Sequence, residues 1–192
     1  MRRVRTPVRP VLVVLLAALA LALAGCGGDD GSSGSVAATA AAPRNDSAEV
    51  MAAAIHRLIS RDHTFGQGSH RFAEYLIQDR TEPLADTPAK PGARPSRRLS
   101  AAERAAIARV VAPFGPYRFV ADADAWRTGD LRPRIEGSVI LGVGEPRIDG
   151  DTALVPVSLW CGNLCGTWLT YRVARSGGAW KVVGTKGPIA VS

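Results

Sequence analysis

Three rhythms of apolar residues divide the chain. Residues 11–23 form an unbroken apolar run, Met51, Ile55 and Leu58 recur at the spacing of one helical face, and the last third alternates with the two-residue period of strands. Between the first two rhythms lies GGDDGSSGSVAATAAAPRND, residues 27–46, small and polar without periodicity. Such a stretch predicts a flexible tether.

The first helix is predicted to open at Asp46, which stands three residues before Glu49 in a capping-box pattern, and to run through Arg61. After Gly66 and Gly68, RFAEYLI at residues 71–77 fits either an alternating strand or a short helix, and strand is the reading taken. Ser100 with Glu103 is a second capping box. It opens AAERAAIARVVA, which Pro113 ends, and residues 117–121 then read as a strand. Arg-Phe at 71–72 and again at 118–119 hints at a duplicated helix–strand unit. Residues 81–99 hold Pro83, Pro88, Pro91 and Pro95 with Arg94, Arg97 and Arg98, a composition that builds no regular element. They read as a basic arm for an anionic polymer or, more plainly, as a solvated loop.

Asp149-Gly150 and Gly177-Gly178 are hairpin signals, and between them TALVPVSLW and TWLTYRVAR flank CGNLC. If Gly162-Asn163-Leu164 is a three-residue loop, Cys161 faces Cys165. Pairing outward then sets Leu159 against Thr167, Val157 against Leu169, Val155 against Tyr171, Val173 against Val182 and Arg175 against Trp180. One face thereby collects Val155, Val157, Leu159, Leu169, Tyr171, Val173, Trp180 and Val182, whereas a wrong register scatters them. The fold class that follows is α+β, with two helices packed on an antiparallel β-meander in a single domain. Pro156 cannot donate to a ladder, so its strand should be bulged or at an edge, with irregular pairing to Gly142, Gly144 and Pro146.

Opposed strand residues place Cβ atoms about 5 Å apart, which suits a disulfide between Cys161 and Cys165. Closing so small a loop contributes about 2 kcal/mol at most, so such a bridge pins register more than it adds stability. A redox dithiol would show C-x-x-C at a helix start, and two thiols without a Cys or His pair make a poor zinc site. Trp160 and Trp168 fall on the other sheet face as diagonal neighbours. Exposed, they form a platform for a sugar ring or a partner; buried, they make a small second core under the proline-rich stretch.

The start of the chain is basic and then apolar. Arg2, Arg3, Arg5 and Arg9 precede the apolar run with no acid among them, and Leu-Ala-Gly-Cys ends it at Cys26. This is the layout of a secretory signal peptide, too short for a spanning helix. The tetrapeptide resembles the lipobox of bacterial lipoproteins, and the chain as a whole is similar to the alanine- and arginine-rich secreted lipoproteins of high-GC, actinobacterial type. That resemblance implies a signal peptide over 1–25, diacylation of Cys26, a linker over 26–46, a domain over 47–192 and anchoring to the outer face of the cell membrane. The twin arginine lacks the apolar pair that follows it in twin-arginine signals, so general secretion is the expected route. Removing the signal takes four of 24 basic residues and none of 17 acids, leaving 20 − 17 = +3. This mild charge argues against nucleic acid.

Other chemistry is sparse. His56, His63 and His70 are spaced by seven, yet Gly66 and Gly68 interrupt any helix joining them, and Asp122, Asp124 and Asp130 lack a calcium loop's glycine and closing Glu. There is no nucleophile elbow and no phosphate-cradling loop. No metal and no cofactor is expected. The Gly177-Gly178 hairpin followed by Trp180-Lys181-Val182-Val183 resembles the closing strands of NTF2-like (cystatin-like) domains. The reading is a non-catalytic envelope lipoprotein that binds a protein or cell-wall polymer through the second sheet face at Trp160 and Trp168. The alternatives are an envelope hydrolase or transferase with an unrecognised carboxylate site, and thiol redox at Cys161 and Cys165.

Overall fold

The computed structural model describes residues 45–66, 70–82 and 97–192. The signal region, Cys26, the tether as far as Arg44, Gly68, Arg94 and the four prolines of the basic stretch lie outside the described residues. Among the described residues, two helices, α1 (Asp46–Ser60) and α2 (Ala101–Val111), accompany one sheet of seven strands. These are β1 (Tyr75–Gln78), β2 (Tyr117–Val120), β3 (Val139–Val143), β4 (Arg147–Asp149), β5 (Thr152–Gly162), β6 (Cys165–Ser176) and β7 (Ala179–Val191). The order across the sheet is β2-β1-β3-β5-β6-β7, with β4 following β3 along the same side of β5.

The α+β class stands, but the sheet is mixed. β3, β5, β6 and β7 are the antiparallel meander, whereas β1 runs parallel to both β2 and β3. The cause is connection length: β1 reaches β2 through a crossover containing α2, and a parallel pair requires such a crossover where a hairpin cannot serve. Residues 71–77 yield a strand only from Tyr75.

Register agrees with outward pairing from the turns. Leu159 meets Thr167, Val157 meets Leu169, Val155 meets Tyr171, Val173 meets Val182 and Arg175 meets Trp180. Gly177 and Gly178 form the β6–β7 turn with φ of 61° and 79°, the left-handed region that this tight hairpin requires. At the cysteine hairpin the expected three-residue loop is instead a two-residue turn, Asn163-Leu164, with Gly162 paired to Cys165 and a bulge that leaves Cys161 as the extra residue. Gly162 adopts φ 148°, which a side chain would resist, so the bulge falls there. The turn after β4 likewise centres on Gly150-Asp151, one residue later than Asp149-Gly150.

α1 and α2 cover one sheet face. Ile55, Leu58 and Ile59 of α1 and Ile107 and Val111 of α2 pack with Val155, Val157, Leu159, Leu169, Tyr171 and Val173, all nearly or fully buried. The Ser100–Glu103 box forms as expected: the Glu103 amide donates to Ser100 Oγ (3.3 Å) and the Ser100 amide to Glu103 Oε2 (2.8 Å). The α1 cap differs. Asn45 is the N-cap, its Oδ1 accepting from the Ala48 amide at 3.1 Å, because Asp46 is drawn to the sheet by Trp180 Nε1 (3.2 Å) and Arg175 (2.6 Å). Pro156 lies in an interior strand, yet its missing donor falls at the break between β3 and β4. There its carbonyl accepts from the Gly144 amide (2.8 Å), and a Cβ on Gly144 would come within 2.9 Å of the proline ring. The glycine lets the two backbones approach where the ladder is interrupted.

Candidate functional site

The second sheet face is not open at Trp160. Trp160 is 8% exposed and packs with Leu76, Val120, Ala123 and Ile140, while Trp126 and the half-buried Trp168 flank the cluster. Its cover is the segment after β2, including the 3₁₀ turn Asp124–Trp126, and the Arg127 guanidinium lies 4.6 Å above the Trp160 ring. The pair therefore builds a small second core rather than a two-ring platform. The physical reason is the turn that folds Ala123 and Trp126 back onto β1–β3, which no local pattern announces. Trp168 remains partly accessible next to Gly166, where its ring occupies the space a Cβ would need.

On the same face lies a carboxyl that the sequence did not single out. Glu82 accepts from Ser158 Oγ at 2.7 Å and from Gln78 Nε2, and its side chain fills the space over Gly142. Burial pushes its pKa up, with the Ser158 and Gln78 hydrogen bonds only partly opposing this. Other buried acids carry arginine partners. Asp79 pairs with Arg104 (2.9 Å). Arg97 sits between Glu103 (2.7 Å) and Glu145 (2.8 Å), joining the start of α2 to the β3–β4 connection, while Ser47 Oγ donates to Glu103 from α1 (2.6 Å). Burial alone would raise the Glu103 pKa. The Arg97 guanidinium, Ser47 and the Ser100 amide outweigh it and hold the carboxyl at about 2. Arg97 is thus a clamp rather than part of a free basic arm.

The cysteine hairpin meets the end of α1. The Cys161 and Cys165 sulfurs lie at disulfide distance, with Cα atoms 5.1 Å apart, and Thr64 Oγ1 is 3.2 Å from Cys165 Sγ and 3.9 Å from Cys161 Sγ. Just below, Tyr171 Oη donates to Asp62 (2.8 Å), which also holds Arg57 (2.8 Å). Burial, then the bond to Asp62, keeps the Tyr171 hydroxyl protonated far above its ordinary range. Beyond α1 the first face lies open as a groove of about 690 Å³, walled by Asp62, His63 and Thr64 and floored by Thr167, Leu169 and Val191. Leu164, 87% exposed, and Ile189, 53% exposed, stand on its rim. A second groove, between α1, α2 and the β6–β7 hairpin, is lined by paired charges, Arg109 with Glu49 and Arg175 with Asp46.

The histidines separate. His63 and His70 approach to 6.0 Å between ring centroids, with His70 stacked on Phe65 at 3.8 Å, whereas His56 lies against Phe114. Burial, then His63, lowers the His70 pKa. Asp122 Oδ1 accepts from the Asp124 amide (2.9 Å), Asp124 pairs with Arg127 (3.1 Å), and Asp130 pairs with Arg132 (3.3 Å), so these acids stabilise turns. Among the described residues no group of three or more His, Cys, Asp or Glu side chains is placed to hold a metal, and no helix is long and apolar enough to cross a membrane. Comparison with known proteins finds no matching family model, curated protein or solved structure.

Proposed function

We propose that the chain is a cell-envelope protein, held on the outer face of the membrane by lipid on Cys26, whose folded part binds a protein partner. The anchor rests on the charged start, the apolar run and LAGC, and on sulfurs at disulfide distance, which suit an oxidising compartment. The observation that carries binding is the groove at the hairpin tip, where Leu164, Ile189 and Val191 expose apolar surface beside the wall formed by Asp62, His63 and Thr64 after α1. Because Trp160 is buried, this surface replaces the second face as the place of contact. An envelope protein suits such apolar side chains better than a cell-wall polymer does.

A photo-crosslinking residue at Leu164 should capture a discrete partner in living cells, and one at Ile148, near the opposite end of β5, should not. Equal capture at both positions would refute the assignment. Palmitate incorporation that disappears in Cys26→Ser tests the anchor separately. The hydrolase or transferase reading draws on Glu82, whose raised pKa suits a general acid. Its packing against Gly142 and Ser158 leaves that carboxyl a structural contact, so Glu82→Gln should change stability and leave partner capture intact.

A further inference from the structure

The Cys161–Cys165 hairpin has three properties that a mere staple does not need. The first is that strand pairing reaches the tip alongside the bond. Cross-strand pairs run without interruption from Thr152 with Ala174 to Trp160 with Gly166, so strand pairing already holds the tip closed. A small loop adds little chain entropy, and the folded hairpin can survive reduction. The second is access: both cysteines are partly exposed, Cys165 at the start of β6 next to the rim residue Leu164 and Cys161 at the end of β5, at the margin of the main core.

The third is asymmetry. Thr64 Oγ1 lies 3.2 Å from Cys165 Sγ but 3.9 Å from Cys161 Sγ. While the sulfurs are bonded neither carries a proton, so the Thr64 hydroxyl is the donor and Cys165 Sγ is its nearer acceptor. A donor on one sulfur stabilises that sulfur as a thiolate and makes it the better leaving group. The other sulfur is then the one attacked.

We infer that Cys161 and Cys165 form a thiol–disulfide exchange site for a partner dithiol, with Cys161 the attacked sulfur, Cys165 the leaving group and Thr64 a positioning residue that holds the departing charge. A partner thiolate bonds to Cys161 Sγ as the Cys161–Cys165 bond breaks, and the electron pair leaves on Cys165 as a thiolate hydrogen-bonded by Thr64. The partner's second thiolate then attacks the partner sulfur of the mixed disulfide. Cys161 departs, the two departing thiolates take up the protons lost by the partner, and the partner is left oxidised. Two electrons move from the partner dithiol to this pair, and no other oxidant is required. The apolar rim at Leu164 and Ile189 belongs to a groove that Thr64 also lines, and gives the partner chain a surface near the cysteine hairpin. This step does not depend on lipid at Cys26.

The test uses the full chain in native buffer. Oxidised protein is treated with glutathione, quenched with an alkylating reagent, and mapped by peptide mass. Glutathione should be found on Cys161 and the alkyl group on Cys165, by about tenfold over the reverse, the ratio one hydrogen bond to a charged sulfur supports. Thr64→Val should bring the two adducts to near equality, and Thr64→Ser should restore the bias. Far-ultraviolet circular dichroism should be unchanged by reduction, and Cys161→Ser/Cys165→Ser should fold. A pair that reduces only after unfolding, an adduct mainly on Cys165, or a bias unmoved in a folded Thr64→Val would each overturn the inference. Should Thr64→Val fail to fold, the adduct map of the unmodified chain and of Thr64→Ser still decides it.

Discussion

Glu103 offers the sharpest quantitative test of how this fold is held together. Its side chain is 3% exposed and receives Arg97, Ser47 and the Ser100 amide, which hold the carboxyl at about 2 against an ordinary 4.5. That difference corresponds to about 3 kcal/mol of stability at neutral pH. Arg97 is 41% exposed and shares its charge with solvent, which reduces the expectation to about 2 kcal/mol. Because the folded pKa is depressed, this stability is fully present above pH 4.5 and lost as pH falls from there through about 2. Glu103→Gln keeps the shape and removes the charge. Urea unfolding at pH 7 should show a loss of about 2 kcal/mol, or about 4–8 °C in Tm for a domain of this size. The pH profile is the decisive readout, since other acids also titrate there and only the difference between the two proteins belongs to Glu103. Between pH 5 and pH 2 the unmodified chain should lose about 2 kcal/mol more than Glu103→Gln does. Parallel curves would refute the argument that Arg97 clamps this carboxylate.

Three further outcomes follow from the same geometry. A Cβ on Gly142 would lie 2.2 Å from Glu82 Cδ, so Gly142→Ala should cost about 1–3 kcal/mol, and a double-mutant cycle should show a smaller cost in a Glu82→Ala background. Asn45→Ala should cost about 1 kcal/mol as the α1 cap, measured by urea unfolding, whereas Asp46→Ala should act through Arg175 and Trp180, with a change in tryptophan fluorescence that Asn45→Ala lacks. Tyr171, buried and bonded to Asp62, has a folded pKa above its unfolded 10, so its contribution is present below pH 10 and lost as pH rises beyond it. Spectrophotometric titration should find a tyrosine that ionises only with unfolding, and Tyr171→Phe should remove that step.

Much of the architecture is legible along the chain because its causes are local. The second helix can be read from Ser100 and Glu103, since a capping box joins residues three apart. The β5–β6–β7 pairing can be read because turn chemistry and two-residue alternation agree, and an error of one residue would have turned Val155, Val157 and Leu159 to the wrong face. Where several local solutions exist, the reading slips by one residue. Asn45 replaces Asp46 as a cap, and a bulge at Cys161 replaces a longer loop, because a distant arginine and a glycine conformation decide between near-equal alternatives.

The α+β class, the register of the meander away from the cysteine tip and the face that becomes the core were legible along the chain. These follow from periodicity and turn geometry, which act over a few residues. Packing between distant segments settled that β1 and β2 lie parallel, that Trp160 is buried, that Glu82 meets Ser158, and that Thr64 touches one sulfur more closely than the other. Each of these joins residues dozens of positions apart or depends on how a crossover is routed. Their energies come from burial and hydrogen bonds formed after the elements pack, and no local pattern along the chain encodes which distant partner a single Glu, Trp or Thr will find.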